Sequence, residues 1–225
     1  MIDKSIKEKI WKNYYKNRFL ISIEYIYTKS SSYLKTTRLF DIIWKNKEEI
    51  FMSLFGGKKE SYKDKKSLVI YFSRADENYS VGYIDKGNTE YIAEYVQEIT
   101  NADLFKVEPL VPYAKDYNTC IEEAKQRVGN APIKNKIDDV SEYEVIYIMS
   151  PIYWGTYAPE METALKDIDF TGKTIRIVTT HEGSGLASVP SDVKRICKGA
   201  NVLDDAIAIR GADCKNARSK VENWV

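Results

Sequence analysis

Apolar and polar positions follow two different periods along most of the chain, and together they predict a sheet covered by helices. Short apolar runs predict five strands, at residues 68–72, 103–107, 144–149, 174–179 and 205–209. Apolar residues spaced by three and four predict helices at residues 88–100, 118–128, 158–166, 186–197 and 213–224. A helix after each strand is typical of an open parallel sheet with helices on both faces. We therefore predict an α/β domain over residues 67–225.

The first part of the chain has a helical pattern only. Amphipathic runs predict four short helices, at residues 1–20, 22–28, 34–43 and 46–55. Gly56 and Gly57 end the last of them, and the charged residues 58–66 predict a linker. The predicted organisation is a helical, basic N-terminal segment at residues 1–57, a linker at residues 58–66 and the α/β domain.

Charge separates the same two parts of the chain. The net charge is only +1, but residues 1–66 hold 16 basic and 8 acidic side chains, whereas the remainder holds 18 basic and 25 acidic ones. The basic excess fits a surface that faces nucleic-acid phosphates. The acidic excess of residues 67–225 fits docking to basic partner proteins.

Residues 1–57 resemble the DNA-binding head of TetR-type repressors. Three motifs carry the resemblance: Ser22-Ile23-x-x-Ile26, Thr36-Thr37 followed by Phe40, and Asn46-Lys47-Glu48-Glu49-Ile50. The run Ser30-Ser31-Ser32 stands where that family has a turn glycine. The resemblance implies that residues 1–57 bind DNA. A structural role, or the docking of a partner, is the alternative.

The loop between the first predicted strand and helix has the composition of a phosphate site. It opens with Ser73 and Arg74 and closes with Gly87, Asn88 and Thr89. A helix N-terminus offers free N–H groups and the positive end of the helix dipole, and hydroxyl groups add further donors. We predict phosphate binding here. An ordinary turn between a strand and a helix is the alternative.

Two further loops follow predicted strands. In the first, the large aromatic residues Tyr153 and Trp154 stand between Pro151 and Gly155, and a flat aromatic ligand could cover them by stacking. The alternative packs them against the domain itself. The second loop, residues 180–185, contains Gly-Ser-Gly, which lets the backbone approach a ligand closely. It also contains the only histidine, His181, which is either a proton relay or a solvated side chain.

Residues 67–225 resemble the flavodoxins, specifically those with a lengthened phosphate loop. The matching motifs are Tyr71 to Arg74, Glu77-Asn78-Tyr79, Gly87-Asn88-Thr89-Glu90, Ala102-Asp103-x-Phe105, Tyr113-x-x-x-Tyr117, Pro151 to Gly155, Asp169-Phe170-x-Gly172-Lys173 and Gly183-Ser184-Gly185. The resemblance implies a five-stranded parallel sheet in the order 2-1-3-4-5 and FMN as the cofactor. In that order, the loops after strands 1 and 3 meet at the switch point of the sheet.

The resemblance also implies which residues bind FMN. The phosphate is assigned to Ser73, Arg74, Asn88 and Thr89, one side of the ring to Pro151, Ile152, Tyr153, Trp154 and Gly155, and the far edge of the ring to Thr180, His181, Gly183 and Gly185. Asp76 and Glu182 depart from the family pattern. Asp76 would repel a phosphate dianion unless it points outward, and Glu182 would lower the potential of a nearby flavin.

Three functions are compatible with these residues. The first is electron transfer through FMN to a redox partner protein. The second is an FMN-dependent NAD(P)H:quinone-type reductase that acts on a small acceptor, so the residues leave open whether the protein is an enzyme. The third is a redox- or ligand-sensing regulator whose N-terminal segment binds DNA.

Cysteine usage and hydropathy predict the cell compartment. The three cysteines, Cys120, Cys197 and Cys214, are odd in number and lack metal-ligand spacing, so free thiols and no metal site are expected. No apolar run reaches the roughly 18 residues that a membrane span needs. We expect a cytoplasmic protein that has no membrane partner.

Overall fold

A computed structural model of the chain describes residues 61–225 and two isolated positions, Asn17 and Ile21. The chain divides into two compact units, Met1–Glu60 and Ser61–Val225. The four helices predicted within residues 1–57, and the DNA binding expected of them, lie outside the described residues. The domain boundaries therefore stay predictions.

One mostly parallel sheet organises the second unit. Its strands are β1 (Ser67–Tyr71), β4 (Asp103–Lys106), β5 (Val145–Tyr153), β7 (Thr174–His181), β8 (Asn201–Val202) and β9 (Ile207–Arg210), and β6 (Thr156–Tyr157) pairs antiparallel with the end of β5. The order across the sheet is β4-β1-β5-β7, and the short strands β8 and β9 share the far side of β7. This confirms the predicted order 2-1-3-4-5. The fifth position is occupied by two strand fragments.

The helices have nearly the predicted positions. They are α1 (Asn88–Thr100), α2 (Tyr117–Gln126), α3 (Pro159–Leu165), α4 (Val189–Ile196), α5 (Gly211–Cys214) and α6 (Arg218–Trp224). The last predicted helix, at residues 213–224, is thus two short helices. The predicted loop after Ser73 contains a further antiparallel hairpin, formed by β2 (Asp76–Asn78) and β3 (Gly82–Ile84).

Alternating side chains of the central strands fill a core on each face of the sheet. On one face, Ile70 and Ile148 pack in the core that α2, α3 and α4 cover. On the other face, Val69 and Tyr147 pack beneath α1 and α6. Both faces of the sheet are therefore apolar, which explains why the strands are continuous apolar runs rather than alternating ones.

Strand β5 extends four residues beyond its predicted end at Met149. The carbonyl of Met149 accepts a hydrogen bond from Phe72 N at 3.1 Å, so the backbone polar groups of Met149 point towards β1. Backbone polar groups point to alternate sides along a strand, so the nitrogen of Pro151 points to the same side as that of Met149. It lies beyond Tyr71, the last residue of β1 that pairs with β5. A proline is tolerated there because no ladder hydrogen bond is required of its nitrogen.

Within residues 61–225, every helix is too short or too polar to span a lipid bilayer.

We expect the substitution Ile148→Ala to destabilise the domain strongly. Ile148 is fully buried in β5, at the centre of the sheet. Loss of its side chain leaves a cavity, and the free energy of unfolding should fall by roughly 2–5 kcal/mol in a denaturant titration. Val128→Ala is the control, because Val128 is 65% exposed. Equal effects of the two substitutions would contradict this account of the core.

Candidate functional site

A cavity of about 310 Å³ opens at the carboxyl ends of the central strands. Ten of the predicted site residues line it, namely Ser73, Arg74, Asn88, Thr89, Pro151, Ile152, Tyr153, Trp154, Thr180 and His181. The predicted residues Gly155, Gly183 and Gly185 do not belong to the lining. The cavity lies where the loops after β1, β5 and β7 meet, which is the switch point of the sheet.

The N-terminus of α1 forms one end of the cavity. Gly87 is the N-cap residue, so the cap residue itself has no side chain that could bond to the first N–H groups of the helix. The first N–H groups of a helix have no partner within the helix, so this end is a favourable place for an anion. Ser73 Oγ accepts a hydrogen bond from Glu90 N at 3.1 Å. A Cβ atom on Gly87 would lie 2.1 Å from Ser73 Oγ, so only glycine lets the loop pack this closely on the helix.

A buried pair of hydroxyl groups joins α1 to β7. Thr89 Oγ1 and Thr180 Oγ1 are 2.8 Å apart, and both residues are buried. The hydrogen bond fixes the first turn of α1 against the tip of β7. Each hydroxyl has one proton and two lone pairs, so either threonine retains capacity for a second hydrogen bond.

The guanidinium group of Arg74 donates hydrogen bonds to backbone carbonyls, which the sequence did not indicate. Nη1 donates to Glu77 O at 2.6 Å, and Nη2 donates to Ala114 O at 2.6 Å and to Lys115 O at 2.9 Å. Its Nε is buried and has no hydrogen-bond partner in the described part of the chain. The guanidinium that we assigned to the phosphate is thus largely committed to backbone carbonyls.

Tyr153 and Trp154 have different surroundings. Trp154 and Gly155 form the two-residue turn between β5 and β6, and both have positive φ, as such hairpins require. Tyr153 packs edge-on against Phe72 and Tyr113, with ring centroids 5.9 and 6.0 Å away, and burial raises the pKa of its hydroxyl. Tyr153 therefore packs against its own domain, as the alternative interpretation of this loop anticipated.

Trp154 remains 57% exposed and rests against α2. Its indole Nε1 donates to Ile121 O at 3.1 Å, and the ammonium group of Lys125 lies 5.5 Å from the ring centroid. Of the two aromatic residues in this loop, Trp154 is the one with a large accessible surface beside the cavity.

His181 and Glu182 line the cavity at the end of β7. Nδ1 of His181 accepts a hydrogen bond from Gly183 N at 2.9 Å, which places the proton of the neutral ring on Nε2. Burial, followed by the charges of Arg210 and Lys220, lowers the pKa of His181 below its usual 6.5. Burial raises the pKa of the Glu182 carboxyl. His181 is consequently neutral at pH 7.

Asp76 does not line the cavity. One oxygen of its carboxylate lies 3.4 Å from the hydroxyl of Tyr83, which is exposed on the hairpin. Its carboxylate is therefore directed towards Tyr83 on the hairpin.

One side of the cavity contains no predicted site residue. It is lined by Asn78 and Tyr79 of the hairpin and by Tyr117, Cys120, Ile121 and Ala124 of α2, whereas Glu182 and Ser184, which also line the cavity, belong to the predicted loop 180–185. The four α2 residues are spaced by three, one and three positions, so they share one helix face. That spacing was the available signal, but it is equally typical of a face that packs on the core.

All three cysteines are buried and free, as expected. Within residues 61–225 and the two isolated positions, no group of three His, Cys, Asp or Glu side chains could hold a metal ion.

Comparison with known proteins identifies the family. The family model for flavodoxins matches residues 66–225, and the chain belongs to this family. Two solved structures share its fold. A candidate flavoprotein from Bacteroides eggerthii is 21% identical, with a TM-score of 0.57, over 72% of this chain and 96% of its own. Another, from Bacteroides uniformis, is 22% identical, with a TM-score of 0.55, over 72% of this chain and 98% of its own. No curated protein matches the chain.

Membership of the flavodoxin family confirms FMN as the cofactor. The residues of the cavity fit this cofactor. The free backbone N–H groups at the start of α1, with the hydroxyl groups of Ser73 and Thr89 beside them, offer donors for a phosphate. Trp154 offers an accessible aromatic surface in the same cavity.

We expect His181 to titrate below pH 6.5, because burial and two neighbouring cations disfavour its charged form. The folded protein binds this proton less readily than the unfolded chain does. The free energy of unfolding therefore keeps its full contribution from His181 above pH 6.5 and decreases as the pH falls below that value. Since the chain has one histidine, a proton NMR titration of the imidazole measures its pKa without ambiguity. A value at or above 6.5 would contradict the described environment.

Proposed function

We propose that residues 66–225 transfer electrons through FMN held in the cavity. The observation that carries this proposal is the presence, in one cavity, of a helix N-terminus with free N–H groups at Asn88 and Thr89 and of an accessible indole. The first suits a phosphate, and the second suits a planar ring. Bound FMN supplies the redox chemistry, and the protein binds the cofactor, orients it and sets its electrostatic surroundings.

The phosphate is proposed to lie at the N-terminus of α1. The backbone N–H groups of Asn88 and Thr89 are the donors that a helix leaves unsatisfied at this position. When the hydroxyl of Thr180 donates to that of Thr89, the proton of Thr89 is left for a phosphate oxygen. An anion gains here from the helix dipole as well as from these donors.

The ring system is proposed to lie against Trp154. The indole is held in place by its hydrogen bond to Ile121 O, and a planar ligand can stack on its accessible face. Neutral His181 contributes no positive charge at pH 7, so it does not raise the potential of the cofactor at that pH. Its Nε2–H remains a donor for a hydrogen bond, which keeps the proposed proton-relay role open to test.

The partner is proposed to be a basic redox protein. Residues 67–225 carry seven more acidic than basic side chains, and complementary charge speeds association between redox partners. The alternative is reduction of a small quinone-type acceptor with electrons from NAD(P)H. A regulator that binds DNA through residues 1–57 is the third proposal, and it rests on the charge and motifs of that segment.

The visible absorption spectrum of the purified protein tests the first part of the proposal. We expect a yellow protein with flavin absorbance, either as isolated or after incubation with FMN. A colourless protein that cannot be reconstituted would rule out both electron transfer and reductase activity. Rapid oxidation of NAD(P)H with a quinone acceptor would favour the reductase. Salt-sensitive binding of duplex DNA that changes with the flavin's redox state would favour the regulator.

Thr89→Val should weaken FMN binding by about tenfold, because it removes a hydroxyl donor from the proposed phosphate site. Riboflavin lacks the phosphate, so its affinity should fall less. Fluorescence titration of both ligands measures the difference. Thr100→Val is the matched control. Thr100 is the last residue of the same helix, and its hydroxyl donates to Val96 O away from the cavity. Equal FMN affinity for both variants would mean that the phosphate lies elsewhere.

A further inference from the structure

The hairpin formed by β2 and β3, residues 76–84, forms one side of the cavity. Its tip presents Tyr79, which lines the cavity although 62% of its surface is exposed. The ring of Tyr79 lies on that of Tyr117, with centroids 5.8 Å apart and an angle of 35° between the planes. Tyr117 is the first residue of α2 and also lines the cavity.

A set of hydrogen bonds fastens this hairpin to the segment that leads into α2. Glu77 N donates to Lys115 O at 3.2 Å, and the Glu77 carboxylate accepts from Tyr117 N at 2.9 Å. Arg74 joins the two segments, because its guanidinium donates to Glu77 O on the hairpin and to Ala114 O and Lys115 O beside α2. A planar fork with several fixed donors can hold three carbonyls at once, and the single ammonium group of a lysine cannot reproduce that geometry.

From these contacts we propose that Arg74 is a positioning residue that holds the hairpin against α2, and that Tyr79 at the hairpin tip binds the ring system of the flavin. This inference rests on the proposed function, since it takes FMN as the occupant of the cavity. The ligand class is a planar heteroaromatic ring, for which an accessible phenol and an accessible indole in one cavity provide stacking surface. In this arrangement Arg74 contributes to the affinity for the ring rather than for the phosphate.

Arg74 could instead bind the phosphate, because its buried Nε has no hydrogen-bond partner in the described residues. If Nε binds the phosphate, loss of Arg74 should affect FMN and leave riboflavin unchanged. If Arg74 instead holds the hairpin, both flavins lose affinity by the same factor. The comparison of FMN with riboflavin therefore separates the two roles.

The test uses the full-length protein, stripped of flavin, and titrates FMN and riboflavin by fluorescence. Arg74→Lys keeps the positive charge but loses the fork that holds three carbonyls. We expect it to lower the affinity for both flavins equally, by about tenfold. Tyr79→Ala should lower both affinities by a similar factor, because stacking on an aromatic side chain is worth about tenfold or more. Tyr79→Phe should keep wild-type affinity.

Tyr83→Ala is the matched control. Tyr83 lies on the same hairpin and is 64% exposed, but it does not line the cavity. Its substitution should leave both affinities within twofold of wild type. Because Tyr79 and Tyr83 are both exposed, neither substitution removes core packing, and the comparison remains valid even if Arg74→Lys proves unstable.

Amide hydrogen exchange of the flavin-free protein gives a second measurement. Exchange at residues 76–84 should be faster in Arg74→Lys than in wild type, whereas exchange in β1 and β5 should be unchanged. Three results would overturn the inference: a loss of affinity confined to FMN in Arg74→Lys, unchanged affinities in that variant, or equal effects of Tyr79→Ala and Tyr83→Ala. A wild-type protein that binds neither flavin would instead contradict the proposed function itself.

Discussion

The site depends on the direct pairing of parallel strands at the centre of the sheet. Tyr71 in β1 pairs with Met149 in β5, and Pro151 in β5 pairs with Thr180 in β7. Because the three strands run in the same direction, the loops that follow them leave the sheet at one edge. The apolar cores on both faces hold the strands in register, so these loops cannot move apart without exposing the cores. The cavity is a consequence of this arrangement.

Hydrogen bonds between the loops then connect the sides of the cavity to one another. Thr89 and Thr180 join α1 to β7, and Ser73 supports the first turn of α1. Arg74 fastens the hairpin to the segment before α2. A site whose polar groups are already held in place loses less conformational entropy when a ligand binds, which favours tight binding of a cofactor.

Sequence reasoning identified the family, the cofactor and most of the strands, and it recognised three loops whose residues meet in the cavity. It did not identify the contribution of the hairpin or of α2. The residues Tyr117, Cys120, Ile121 and Ala124 have the spacing of an ordinary core-facing helix, and only the positions of the neighbouring loops leave their face open to the cavity. The sequence also did not indicate which of Tyr153 and Trp154 would pack inside the domain.

What the sequence determined by itself were the local features: apolar runs that form buried strands, amphipathic helices, and Gly87 where a loop must pack closely on a helix. These features depend on the spacing of apolar side chains and on the conformational freedom of glycine. Both can be recognised in a short stretch of sequence. The tertiary structure alone decided which carbonyls beside α2 bind Arg74, the inward packing of Tyr153, and the pairing of Pro151, beyond the predicted end of β5, with β7. Each of these depends on a group 29 to 40 residues away along the chain, namely Ala114, Tyr113 or Thr180, and no local pattern specifies which of them will meet.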